Sequence, residues 1–130
     1  MDILKTPRSR LILILWLVAF HSFFVGIGLI IQIPEIMKLF GFDSCYEHFF
    51  PAQGGTFHIV MAIGYALAAY NVERFHCLVI FSIVVKAAAT VFLFTYYFAI
   101  EPIWMILFSG IGDGIMGLAI YLSFRSYSKN

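Results

Sequence analysis

The sequence predicts an all-α membrane protein in which four transmembrane helices form an antiparallel bundle. Of the 130 residues, 62% are hydrophobic and only 12% are charged, with a mean hydropathy of +0.96. Soluble domains are nearer half apolar and a quarter charged. Thirteen of the fifteen charges also lie outside four long segments, at about residues 11–33, 54–70, 75–100 and 102–124. Each segment is near the roughly 20 residues that a helix needs to cross the hydrocarbon core.

Composition also excludes several other classes of protein. The low charge content excludes intrinsic disorder, and a net charge of +1 without a long basic run argues against nucleic acid as a partner. The length permits one domain, and no linker divides it, so residues 1–130 are expected to form a single transmembrane domain. Two cysteines cannot form a disulfide framework, and the predicted topology places Cys45 and Cys77 on opposite sides of the membrane.

The first segment, at about residues 11–33, is predicted to be a retained helix rather than a cleaved signal peptide. Its basic start fits both interpretations, but the apolar run is too long for a signal peptide. No cleavage site of the small-x-small type follows it.

The first external loop, at about residues 34–53, is predicted to contain a short helix over 34–41. Pro34 suits the first turn of a helix and Gly41 suits its end. An apolar face and the aromatic residues nearby indicate that the loop lies in the membrane interface or caps the bundle. A simple aromatic belt anchor explains the same residues and is the favoured interpretation. The residues concerned are Ile36, Met37, Leu39, Phe40, Phe42, Tyr46, Phe49 and Phe50.

The remaining segments are joined by tight turns, around 71–74 and 101–102, which force antiparallel neighbours. The second segment is the shortest, and the Gly54–Gly55 pair leaves its outer boundary open. Basic residues then indicate the orientation, because cytoplasmic loops are enriched in lysine and arginine. If the N-terminus is cytoplasmic, Lys38 is the only basic residue on the external side of the membrane. The protein is therefore predicted to lie in the cytoplasmic membrane with both termini facing the cytoplasm. The basic residues on that side would be Lys5, Arg8, Arg10, Arg74, Arg125 and Lys129.

Two charged residues lie inside the segments, Lys86 in the third and Asp113 in the fourth. Counting at roughly 1.5 Å per helical residue places them at similar depths on adjacent helices. Because an isolated charge at mid-membrane costs about 2.5–3.5 kcal/mol on insertion scales, such residues usually find a partner. The sequence therefore predicts a Lys86–Asp113 ion pair.

Other polar residues are predicted to line the same interior. Ser82, Lys86 and Thr90 recur at the four-residue spacing of one helix face, as do Ser109 and Asp113. Glycines surround Asp113, and the Gly110–Gly114 spacing is typical of close helix packing. Two histidines and a tyrosine complete the candidate ligand-binding or proton-relay set, since histidine titrates near neutrality. They are His21, His58 and Tyr65.

These residues favour a non-enzymatic membrane protein that binds or moves a small lipophilic or polar-headed molecule, with proton coupling through the histidines. A structural or assembly subunit, with a Lys–Asp pair that only fixes packing, is the alternative from another class. In that case the partners would be further copies of the chain or other subunits in the bilayer. An enzyme, or a quinone- or haem-linked redox subunit, is the third hypothesis.

No cofactor is predicted from a motif. Haem would need two axial ligands, and His21 and His58 differ in depth by about one helical turn. Zinc at His21, His58 and Asp113 has no local spacing signature, so no metal site is expected. Motifs for phosphate binding, serine hydrolysis and metalloproteolysis are absent from the sequence.

The arrangement resembles the DoxX-like group of small bacterial membrane proteins. The features that carry the resemblance are the first-helix histidine, the long first external loop and the run Gly54-Gly55-Thr56-Phe57-His58. They also include a lysine inside the third helix and an aspartate inside the fourth. The resemblance implies a four-helix bundle in the bacterial inner membrane, and for some relatives quinone or thiol redox partners. This sequence lacks the cysteine pair that a thiol role needs.

Overall fold

The computed structural model describes residues 6–43 and 47–129, and this part of the chain is helical and contains no strand. The predicted all-helical class and the predicted short helix after residue 33 are therefore confirmed. Predictions that involve Lys5, Cys45 and Tyr46 lie outside the described residues. The helices are α1 (Pro7–Ile31), α2 (Pro34–Leu39), α3 (Phe49–Tyr70), α4 (His76–Ala99) and α5 (Trp104–Ser128).

Capping residues explain where the structure departs from the predicted helix boundaries. Helix α3 begins at Phe49 rather than at the glycine pair, because the Glu47 carboxylate accepts hydrogen bonds from the backbone N–H groups of Phe49 and Phe50 at 2.7 and 3.0 Å. Helix α1 begins earlier than predicted, at Pro7, because the Thr6 hydroxyl accepts from the backbone N–H of Ser9 at 3.1 Å. Each cap satisfies backbone donors that a helix start leaves unpaired.

The four long helices form a closed ring, in which each helix contacts two neighbours. Helix α1 packs most extensively against α3, and α4 against α5, while α1 also contacts α5 and α3 contacts α4. Short connections at 71–75 and 100–103 keep successive helices antiparallel. We call the end of the bundle that holds α2 and the α4–α5 connection the α2 end. The opposite end, where α1 begins and α3 ends, is the Arg8 end.

The buried apolar core lies between the middle of the bundle and the Arg8 end. Toward the α2 end, small residues contribute much of the packing, since Gly26, Gly55 and Gly110 are buried there, together with Ile106. The bundle is therefore most densely filled with apolar side chains on one side of its centre. The members of the core are Leu11, Leu15, Val18, Ala19, Tyr65, Ala68, Ala69, Val72, Val79 and Ile120.

Three of the helices, α1, α4 and α5, are long and apolar enough to cross a membrane. They carry large apolar side chains on their outer surfaces, including Leu17, Phe24 and Val91, each more than half exposed. Such a surface is unfavourable in water and suggests a membrane protein. Helix α3 has a less apolar first half, which contains Gln53, two glycines and His58.

An ion pair ties three elements together at the Arg8 end. The Arg8 guanidinium donates to both carboxylate oxygens of Glu73, at 2.7 and 3.3 Å. The Tyr127 hydroxyl also donates to Glu73, at 3.4 Å. These contacts join the first turn of α1 and the last turn of α5 to the turn between α3 and α4. The hydrogen bonds from Arg8 lower the pKa of the Glu73 carboxyl from its usual 4.5 to about 2.

We expect the Arg8→Gln substitution to return the pKa of Glu73 from about 2 toward 4.5, because Arg8 is the main cause of the shift. A carboxylate with a lowered folded-state pKa stabilises the fold above its unfolded pKa, and this contribution is lost as the pH falls through the folded value. The Arg8–Glu73 pair therefore contributes its full stabilisation from neutral pH down to about 4.5, and this contribution is lost as the pH falls from there to about 2. NMR titration of the ¹³C-labelled Glu73 carboxyl measures both values, and equal values in the two proteins would contradict the assignment.

Candidate functional site

Lys86 and Asp113 form a buried ion pair at the centre of the bundle, as predicted. The Lys86 Nζ donates a hydrogen bond to Asp113 Oδ1. Both residues are buried, with 3% and 8% of their surface exposed. They meet because the short α4–α5 connection makes these helices antiparallel neighbours. Gly117 lies opposite Lys86, and the long Lys86 side chain spans the one helical turn to Asp113.

Glycines on α5 allow the backbones of α4 and α5 to approach each other closely around the ion pair. A Cβ at Gly117 would lie only 2.9 Å from the Cβ of Lys86, and one at Gly114 would lie 3.4 Å from the Thr90 methyl. At Gly110 it would lie 3.2 Å from the Cβ of Leu93. The predicted Gly110–Gly114 packing motif thus faces α4. Because Gly117 has no side chain, the Cβ of Lys86 packs directly against the backbone of α5. The Lys86 side chain then extends between the two helices to Asp113.

Tyr65 brings α3 into the same site. Its side chain is buried, and the Lys86 Nζ lies 5.6 Å from the centre of its ring. A cation at this distance from an aromatic face is attracted by the ring quadrupole. Lys86 is therefore held between an anionic oxygen on α5 and an aromatic ring on α3.

The ion pair keeps hydrogen-bonding capacity that other described residues do not use. An ammonium group carries three donors, and in the described part of the chain Lys86 uses one of them, toward Asp113 Oδ1. The second carboxylate oxygen, Asp113 Oδ2, accepts no hydrogen bond from a described residue, and the Asp113 side chain remains 12% exposed. The site can therefore receive one more polar group, as an acceptor for Lys86 or as a donor to Asp113.

His58 of α3 contacts Ser22 of α1. The Ser22 hydroxyl donates to the backbone carbonyl of His58 at 3.1 Å and lies 3.3 Å from its Nδ1. Ser22 is buried and His58 is half-buried. His58 and His21 each interact electrostatically with both Lys86 and Asp113. The sequence interpretation did not include Ser22, although it directly follows His21.

The remaining predicted residues are less closely involved. His21 and Ser109 have exposed side chains, so they lie outside the buried set. The Ser82 and Thr90 hydroxyls donate to carbonyls of their own helix, those of Leu78 at 2.6 Å and Lys86 at 2.8 Å. The predicted polar face on α4 exists, but its two hydroxyls are satisfied one turn back along the helix. The described residues contain no group of three or more side chains suited to hold a metal ion.

No protein-family model, curated protein or solved structure matches the chain. The resemblance to the DoxX-like group stays a prediction. What the chain does must therefore be argued from the geometry of its own residues.

Proposed function

We propose that the protein is a multi-pass protein of the cytoplasmic membrane in which α3 is the fourth spanning helix and both termini face the cytoplasm. The close packing of α3 along α1 supports this proposal, since a helix in a closed ring of hydrophobic helices shares their environment. The distribution of charge supports the orientation: Arg8, Arg74 and Arg125 lie at the Arg8 end, whereas Lys38 is at the α2 end.

Within that membrane, we propose that the protein binds a small lipophilic or polar-headed molecule at the Lys86–Asp113 pair. The observation that carries this proposal is the unused capacity of a buried charge pair. Two donors of Lys86 and the Oδ2 atom of Asp113 have no hydrogen-bond partner among the described residues. Ionisable groups inside membrane segments usually serve function, because their insertion is costly. A polar head group can share these charges without leaving either one unpaired.

The neighbouring residues suggest how such a molecule would be held. Lys86 would anchor an acceptor or a negative charge, and Asp113 would balance the ammonium. His58, oriented by Ser22, would orient the head group or carry a proton, while His21 would do so from the exposed side. A proton carried by either histidine would couple proton uptake to ligand binding or movement.

A second candidate is an assembly subunit in which the same pair only fixes the packing of α4 against α5. The tight fit of Lys86 against Gly117 favours it, because removing either charge would disturb a helix interface. In this case the partner would be another membrane subunit or a second copy of the chain. The two candidates differ in whether a molecule depends on the pair for binding.

Native mass spectrometry of the protein, extracted from its own membrane into nanodiscs, tests the proposed function. We expect the parent protein to retain a molecule of discrete mass, and the K86M/D113N double variant to release it. The matched control is R8Q/E73Q, which removes the exposed ion pair at the Arg8 end and should retain the molecule. If no molecule is retained, or if both double variants retain it equally, the pair serves packing alone.

A further inference from the structure

A second candidate site lies at the α2 end, in a cavity of about 680 Å³. In the described part of the chain, its walls come from the end of α1, the helix α2 with Phe42 and Asp43, the start of α3, and the α4–α5 connection. None of its lining residues belongs to the Lys86–Asp113 site. Its volume lies within the range of about 300–1,000 Å³ that is typical of small-molecule sites.

Specific contacts hold the walls of this cavity in place. Gly41 ends the α2 turn with a positive φ of 88°, and a Cβ there would lie 3.2 Å from Ile103. The Phe40 ring packs edge-on against Trp104, with ring centres 6.2 Å apart. Across the cavity, the Gln32 amide donates to the backbone carbonyl of His48 at 3.2 Å. The cavity is thus formed by packed segments.

The lining combines apolar surface with an excess of negative charge. Each wall supplies apolar side chains, among them Leu29, Met37, Phe42, Pro51 and Ile103. Among the described lining residues, three carboxylates stand against the single ammonium of Lys38. They are Glu35 on α2, Asp43 after α2 and Glu101 in the α4–α5 connection. At neutral pH this arrangement attracts a cation, and the apolar walls favour one that carries an apolar body.

We infer that this cavity binds a small organic cation that carries an apolar group, such as an alkyl- or arylammonium compound. The ammonium would lie among the carboxylates of Glu35 and Glu101, and its apolar part would contact Leu29 and Phe42. This site is independent of the proposed function, because it uses different residues at one end of the bundle.

Two probes of similar size and opposite charge test the inference: benzyltrimethylammonium and phenylmethanesulfonate. Equilibrium dialysis measures their binding to the full chain in phosphatidylcholine nanodiscs, with empty nanodiscs subtracted. We expect saturable binding of the cation, about tenfold tighter than binding of the anion, and weaker at high salt. Equal binding of both probes, or no saturable binding of the cation, would overturn the inference.

The E35Q/E101Q double variant locates the binding. Both residues are exposed, so the thermal unfolding temperature should change little, whereas the affinity for benzyltrimethylammonium should fall about fivefold or more. The matched control is E73Q, which removes an exposed carboxylate at the Arg8 end and should leave the affinity unchanged. An equal loss of affinity in E73Q would show that binding of the cation depends only on the net charge of the protein, and would contradict a site at the α2 end.

Discussion

The K86M variant is expected to be much less stable than the parent protein, by about 3–5 kcal/mol in the free energy of unfolding. The substitution leaves the Asp113 carboxylate buried at the centre of the bundle without its partner. It also removes the cation that faces the Tyr65 ring. Reversible unfolding of the purified protein in mixed micelles measures the change, and loss of less than about 1 kcal/mol would show that the pair is not buried as described.

The D113N and K86M/D113N variants separate charge from packing. D113N alone should also destabilise the protein, since it leaves the Lys86 ammonium without a counter-charge. In the double variant no charge remains, so most of the lost stability should return, because replacing both members of a buried pair is often nearly neutral. A double variant less stable than either single variant would contradict this account.

These stability measurements also sharpen the functional proposal. If the double variant regains stability but not the bound molecule, the pair contributes to recognition beyond its role in packing. If it regains both, Lys86 and Asp113 only fix the register of α4 against α5, and the assembly-subunit candidate is favoured.

The second large effect is expected at the crossing of α1 and α3. A Cβ at Gly26 would lie 2.7 Å from the Gly55 carbonyl oxygen, and a Cβ at Gly55 would lie 2.5 Å from the Gly26 carbonyl oxygen. Backbone atoms cannot rotate away as side-chain ends can, so G26A or G55A must push the helices apart. Such overpacking costs about 1–3 kcal/mol, and the separation would also strain the contact between Ser22 and His58.

Neighbouring glycines provide matched controls for this crossing. Gly28 and Gly54 lie close to Gly26 and Gly55 in sequence, yet a Cβ at either position meets nothing within 4 Å. G28A and G54A should therefore be neutral or stabilising by up to about 1 kcal/mol, because alanine favours a helix more than glycine does. Thermal unfolding temperatures of the four variants test this, and equal effects at all four positions would contradict the close crossing.

The sequence could predict the ion pair because neither of the two signals for it depends on how a helix is rotated about its own axis. Charges are conspicuous within long apolar segments, and the short connection between their helices makes those helices neighbours. The Gly110–Gly114 contact with α4 could be predicted for a similar reason, since its spacing is a property of a single helix.

Contacts that depend on how two helices are rotated could not be predicted in this way. Adjacent helical residues point about 100° apart, so either His21 or Ser22 could face the interior, and the structure buries Ser22. The Gly26–Gly55 crossing joins single glycines on helices separated by a long loop, and neither helix alone carries a spacing signal for it. The cavity at the α2 end likewise depends on how four segments pack.

An experimental density map of the protein, crystallised from lipid after extraction from its own membrane, tests the central claim most directly. The account predicts density for a bound molecule within hydrogen-bonding distance of Lys86 Nζ or Asp113 Oδ2, beside His58. A well-ordered map in which only protein atoms surround the ion pair would contradict ligand binding at this site.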